Sequence, residues 1–429
     1  MKASLDRVRG QNPRTPEECK AVRDVLIADM DVYRTYAAEI EAELNSFNVA
    51  TESMQVSALL IGWLTSPATK SGFVPAPGRG CLDYITRLFD AGSKPALEGS
   101  GSIFPTLCAA YVDLAVQIGA PLAALRPLRK VIEKVHGAEL TAPNVDLLRL
   151  CIESKAYHLA LPCVDLHLKD IGCKPFHKKS LSAKQYLTFW VYAAQVCLAL
   201  KYDEKAERCL LAALACPASG FSAIHVDALT LYNFCKLKSS GSMPVLPKFA
   251  PQDLDKAHAA TGGKLVAEYM RLHVEGQLEP IEEFLEAKQT ELEGEKLLGL
   301  VKQALWKLRL QKLKGLSDVY SAVTLKEAVE RAEAGLDEVQ LEASLFHLIA
   351  RGDINAKISK RDGSVSFAPP KTSSAALPKL VQGMEQLVGL AKQISALEME
   401  CASSQVYLER TVNFEADRPE ASAAVDSEL

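Results

Sequence analysis

The stretch Gly335 to Phe367, GLDEVQLEASLFHLIARGDINAKISKRDGSVSF, constrains this chain more than any other. Its first half repeats with a helical period and its second half alternates like strands. Asp337 is placed to cap a helix, and Gln340, three residues on, can reach back to the cap amide. Val339, Leu341, Leu345, Leu348 and Ile349 recur at helical spacing. Gly352 supplies a left-handed stop. Ile354, Ala356 and Ile358 then alternate with Asn355, Lys357 and Ser359. Asp362-Gly363 is a hairpin turn pair, and Val365 and Phe367 alternate on a return strand. A helix running into a two-stranded hairpin is the second half of a winged helix. The preceding segments, Gly299 to Leu313 (GLVKQALWKLRLQKL) and Lys326 to Ala334, supply its earlier helices.

Upstream, the sequence reads as helical scaffold. Thr15-Pro16-Glu17-Glu18 is a capping box with proline at the first helical position, predicting a long helix to about Asn45. An apolar helix covers Ser53 to Leu64, and two loops, Ser66 to Gly80 and Gly92 to Gly101, flank a short helix. Helices are then expected over roughly 103–118, 121–136, 143–155, 156–170, 183–200, 203–216 and 222–237, and again over 252–276 and 279–292. One helical pair fits the tetratricopeptide pattern: Trp190, Ala194 and Cys197 on the first helix, Ala206, Leu210 and Ala213 on the second, Pro217 closing. Small residues there let two helices approach closely, and three or more such units must stack to bury their faces.

Downstream, a Pro/Ser/Ala linker leads into one long helix from Leu377 to about Thr411. Leu377, Leu380, Met384, Leu387, Ala391 and Ile394 are spaced three and four apart, as in a coiled-coil seam. The acidic, Ala/Ser-rich residues 413–429 are expected to be disordered. The fold class is mainly α: an N-terminal helical region (1–118), a TPR-like solenoid (119–296), a winged-helix subdomain (297–367), the C-terminal helix (377–411) and the tail.

Charge and motif content narrow the function classes. A net charge of −4 over 429 residues is not the footprint of a nucleic-acid binder. The first residues contain no apolar core of a signal peptide, and no apolar run reaches the roughly 18 to 20 residues that span a bilayer. The 11 cysteines, odd in number and mostly within apolar helical patterns, read as reduced thiols of a cytosolic or nuclear protein. The eight histidines form no HxH or HExxH set, and there is no phosphate loop, dinucleotide fingerprint or nucleophile elbow. Cys163, Cys173, His167 and His177 are the densest Cys/His group, at a spacing that matches no zinc class. The sequence therefore assigns no catalytic, cofactor or metal residue. The helix that would enter a DNA groove carries Asp337, Glu338 and Glu342 and no cation before Arg351, which phosphates would repel.

Helical repeats, a winged helix and a long C-terminal helix form the layout of PCI-domain scaffold subunits, found in the proteasome lid, the COP9 signalosome and a translation initiation factor complex. GLVKQALWKL, LEASLFHLIARGDINAKISKRDGSVSF, YDEKAERCLLAALACPA and VLPKFAP resemble the third-subunit family of the COP9 signalosome. Glu342 matches the PCI family's glutamate in that helix. The resemblance implies a non-catalytic subunit of a complex that removes NEDD8 from the cullins of cullin-RING ligases, with the catalytic zinc on another subunit. It implies winged helices joined edge to edge, with subunits 1 and 8 as neighbours, and C-terminal helices gathered in a bundle. The residues themselves agree with a scaffold: Ile354, Ala356, Ile358, Val365 and Phe367 would form the joining sheet, and Leu380, Met384, Leu387 and Ile394 would enter the bundle. A proteasome-lid scaffold and a winged-helix nucleic-acid binder stand as alternatives.

Overall fold

The computed structural model describes residues 6–408, apart from 67–77, 166–181, 217–221, 369–375 and a few single positions or pairs (9, 12, 14, 45, 138–139, 248–249, 252–253, 406). The chain divides into two compact units, Met1–Gln311 and Lys312–Leu429. The division falls inside one helix, Leu298–Val319.

Every described element of the first unit is helical. In order it holds α1 (Pro16–Ala28), α2 (Met30–Thr35), α3 (Ala37–Leu44), α4 (Ser53–Thr65), α5 (Arg79–Ala91), α6 (Lys94–Gly99), α7 (Ile103–Gln117), α8 (Pro121–His136), α9 (Ala142–Glu153), α10 (Tyr157–Val164), α11 (Ala183–Ala199), α12 (Asp203–Leu214), α13 (Ala223–Ser240), α14 (Leu254–His258), α15 (Lys264–Glu275), α16 (Leu278–Ala287), α17 (Gln289–Gly294) and the start of α18 (Leu298–Val319). Consecutive helices pack on one another, as α11 does on α12 and α12 on α13. This is the nearest-neighbour stacking of a solenoid.

Four of the turns between helices share one construction. Gly119, Lys155, Lys201 and Lys296 have φ between 55° and 73°. The next residue's amide then donates back to a carbonyl five positions earlier, as Ala156 does to Cys151 and Tyr202 to Cys197, both at 2.9 Å. This is the Schellman closure, which satisfies orphan carbonyls and reverses the chain tightly. The tetratricopeptide positions Trp190, Ala194, Cys197, Ala206, Leu210 and Ala213 are all buried; Pro217 lies outside the described residues. Two apolar clusters run along this unit. They share α13, which gives Leu229, Tyr232 and Cys235 to one and Phe234 and Leu237 to the other.

Several boundaries differ from the expectation. The single helix to Asn45 is three, jointed at Asp29 (φ −91°, ψ 4°) and Tyr36. The joints let Tyr33 bury fully against α4, where Gly62 admits it: a Cβ on Gly62 would stand 2.6 Å from the Tyr33 Cβ. The second expected loop contains α6, started by Pro95 and anchored by buried Ala96 and Leu97. The helix expected over 252–276 is interrupted by a π turn, Ala259–Gly263. Lys288 separates α16 from α17 in the stretch read as one helix. Of 156–170, the described helix is Tyr157–Val164. The first expected loop and the tail fall largely or wholly outside the described residues.

The second unit is the winged-helix arrangement followed by a helix. After α18 come β1 (Ala322–Thr324), α19 (Leu325–Ala332), α20 (Glu338–Arg351), β2 (Ala356–Ser359), β3 (Ser364–Phe367) and α21 (Ala376–Ser403). The sheet is antiparallel in the order β1-β3-β2, with Val323 and Ile358 both opposite Val365. The expected two-stranded wing is the β2–β3 hairpin, and β1 adds a third strand to the sheet. The three residues before α19 pair with the return strand before Thr324 caps that helix through its hydroxyl and Glu327. α21 is described to Ser403, short of the expected Thr411, and the side chain of Leu377 lies outside the described residues.

Candidate partner-binding surfaces

Three surfaces of the second unit are open, each for a different local reason. The first is the sheet edge. Val365 is fully buried and its strand is bonded on both sides: Phe367 N–H donates to Ser321 O at 2.8 Å and Ala368 N–H to Asn355 O at 2.8 Å. β3 therefore offers no edge, although Val365 and Phe367 belong to the expected joining sheet. β2 does. Antiparallel ladders alternate, so the Asn355–Ala368 bond turns Asn355, Lys357 and Ser359 toward β3 and the backbone groups of Ala356 and Ile358 outward. Ile354 and Ala356 bury their side chains, while Ile358 and Phe367 are half-buried. Lys357, Lys360 and Arg361 are exposed around the strand, and Lys360 Nζ meets Glu342 Oε1 at 3.1 Å, tying the wing to α20.

The second surface is the outer face of α20, where the helix phase differs from the sequence reading. Leu341, Leu345 and Leu348 are buried, as is Ser344, whose hydroxyl donates to Gln340 O at 2.6 Å. Val339, expected inside, is 78% exposed, and Phe346 is 68% exposed. At about 100° per residue, Val339 stands roughly 180° from Leu348 and cannot share its side. Val339, Ala343, Phe346 and Ala350 form one ridge, spaced four, three and four. The sequence reading saw this side of α20 only by its charges, because the ridge mixes two alanines with two large residues and repeats too briefly to register as a stripe.

The third surface is α21. Leu380, Met384, Leu387 and Ile394 are 56% to 67% exposed. Val381, Val388, Leu390, Leu397 and Met399, which the seam spacing passes over, are exposed as well. An open groove of about 840 Å³ lies at the other end of the sheet from the hairpin turn, with Val319, Ile349, Gly352, Asn355, Phe367 and Ala368 on its walls.

Nothing in the first unit resembles a reaction centre among the described residues. No three His, Cys, Asp or Glu side chains converge on a metal position, and Cys173, His167 and His177 lie outside the described residues. His225, His258 and His273 are buried, and desolvation lowers the pKa of each. All three make structural bonds, His225 Nδ1 accepting the Ser222 amide at 3.1 Å, His258 Nε2 meeting Thr230 Oγ1 at 3.0 Å and His273 Nδ1 meeting the Tyr269 hydroxyl at 3.2 Å. Among the described residues the one carboxyl strongly displaced is Asp146, raised to about 7 by burial, an effect Arg149 opposes and Asp113 adds to. Nine of the described cysteines are buried free thiols, and Cys401 is exposed. No described helix is long and apolar enough to cross a membrane.

The chain was compared with known proteins. The family described as COP9 signalosome complex subunit 3, N-terminal helical repeats, matches residues 16–253. A protein of Arabidopsis thaliana named COP9 signalosome complex subunit 3 is 23% identical over 400 residues, covering 92% of this chain and 90% of that protein. One of the same name from Dictyostelium discoideum is 26% identical over 310 residues, covering 70% and 72%. The family match takes in α1 to α13, with three of the four Schellman turns, and reaches over more than half of the sequence. The chain therefore belongs to the COP9 signalosome subunit 3 family.

Proposed function

We propose that this chain is a non-catalytic scaffold subunit of a COP9 signalosome, and that it supports removal of NEDD8 from cullins by holding other subunits in place. The observation that carries this reading is α21. A 28-residue helix with its apolar face open gains no stability from packing, and large exposed apolar patches mark interaction surfaces. In this reading α21 enters a bundle shared with other subunits. The outward backbone of Ala356 and Ile358 takes a neighbouring strand, because an open edge presents unpaired donors and acceptors. The neighbours are subunits 1 and 8, cullin-RING ligases are met through the assembled complex, and nucleic acid is not a partner. The work is done in the cytoplasm and nucleus.

Affinity purification of the tagged full chain, followed by mass spectrometry, tests the assignment. Recovery of the other signalosome subunits together with cullin-deneddylating activity is the expected result. Recovery of 20S proteasome subunits instead overturns it.

A further inference from the structure

α21 presents a broad apolar face, and one charge stands in the middle of it. At about 100° per residue, the large apolar side chains from Leu380 to Met399 occupy an arc of roughly 200°, bounded by Leu397 on one flank and Val381 on the other. All of them are exposed. Glu385, Lys392 and Glu400 fall outside this arc. Glu398 falls at its centre, about five full turns after Leu380. It is also the next member of the column Met384, Ala391 at heptad spacing, so the seam ends on a carboxylate. Nothing on α21 answers that charge. The residues three and four positions away, its neighbours on the helix surface, are Ile394, Ser395, Cys401 and Ala402. Ser395, the other polar side chain within the arc, can return its hydroxyl to the helix backbone. An ionised carboxylate only accepts, and the amides beside it are spent on the helix.

We propose that Glu398 selects the partner of α21: a helix of another subunit that carries a lysine or arginine opposite this position, within an otherwise apolar heptad stripe. The proposal rests on the reading of α21 as a member of a shared bundle, and deepens it by naming the side chain the partner has to bring. The physical reason is desolvation. Glu398 is exposed in the single chain, but a neighbour that covers the arc takes water from its centre first. A carboxylate buried without a counter-charge is heavily penalised, and one buried against a cation is not. A single polar position in an apolar seam also fixes register, because a shift along the seam sets the charge against apolar side chains. A second copy of this chain in parallel register is disfavoured, since it sets Glu398 against Glu398.

The test is co-purification of the tagged full chain from cells, the parent beside Glu398→Leu, Glu398→Gln and the outer-face control Glu400→Leu, with the recovered subunits quantified by mass spectrometry. Leucine propagates a helix as well as glutamate does, and at this position it completes the apolar arc. With no cation opposite, Glu398→Leu would hold the partner as tightly as the parent or more tightly. Opposite a cation it strands the partner's charge. Recovery of at least one other subunit is therefore expected to fall about fivefold or more with both Glu398→Leu and Glu398→Gln, and to stay within about twofold of the parent with Glu400→Leu. Unchanged or increased recovery with Glu398→Leu overturns the proposal. Loss with leucine but parental recovery with glutamine also overturns it, because the group opposite is then a neutral donor. So does equal loss with Glu400→Leu, because the effect then does not depend on the face. In each of these cases the scaffold reading stands as long as the parent recovers other signalosome subunits. A parent that recovers none, or only untagged copies of itself, overturns both.

Discussion

Lys360 Nζ stands 3.1 Å from Glu342 Oε1, bridging the hairpin turn to the middle of α20. The Lys360 side chain is 81% exposed. Solvent screens such a pair, and exposed pairs contribute about 0–1 kcal/mol. A double-mutant cycle of Glu342→Ala and Lys360→Ala, followed by denaturant unfolding, is expected to give a coupling below about 0.5 kcal/mol. A coupling several times larger would make the pair a main clamp of the wing.

A close helix-to-helix approach in the first unit predicts a large effect from a small change. Gly62→Ala places a Cβ 2.6 Å from the Tyr33 Cβ, with the Tyr33 carbonyl carbon at 3.2 Å. Neither atom is the far end of a flexible side chain, so α2 and α4 must separate. Overpacking of this kind costs about 1–3 kcal/mol, read as a lower thermal midpoint of the first unit.

Charging the α21 seam separates assembly from folding. Leu387→Asp alters a residue that is 67% exposed, so the helix content and melting of the isolated chain are expected to stay near those of the parent. Co-purification of other subunits should be lost. Normal co-purification shows that the seam is not what joins them.

The sheet edge predicts an independent lesion. Ile358 turns its backbone amide away from β3, so proline there removes a donor from the open edge and none from the β2–β3 ladder. Ile358→Pro is expected to keep the circular dichroism spectrum of the parent and to weaken recovery of a neighbouring subunit. The spectrum confirms that the sheet has survived, and the pull-down reports the joint.

Asp146 predicts a pH dependence opposite to that of ordinary carboxylates. Burial raises it to about 7, above the roughly 3.9 of an unfolded chain. The folded state holds the proton more tightly, so the stabilising contribution is complete below the unfolded value and is lost as pH rises through 7. Asp146→Asn should therefore raise the thermal midpoint at pH 8, by about 2 °C or more, and change it little at pH 4. Buried His225, His258 and His273 pull the other way on acidification, so comparison of variant with parent at each pH isolates Asp146.

Much of this was legible locally. The caps at Thr15 and Asp337, the stop at Gly352 and the Asp362-Gly363 turn depend on residues within a few positions of one another. So does the tetratricopeptide pair around Trp190. Features set by distant residues were less legible. β1 is three residues that look like the approach to a helix, and only pairing with Ser364 to Ser366, some forty positions later, makes them a strand. The joints in the N-terminal helix carry no proline or glycine, and follow from fitting Tyr33 against Gly62.

The sequence by itself determined a helical solenoid, a helix-and-wing unit and an amphipathic last helix, because hydrophobic period and cap chemistry act over single turns of chain. Tertiary structure decided which surfaces are left open. Pairing on both sides closes β3 and leaves β2 as an edge, since a backbone group can serve only one neighbour at a time. The phase of α20 against its own core turns Val339 and Phe346 outward, since a helix about 100° per residue around its axis cannot bury opposite sides against one sheet.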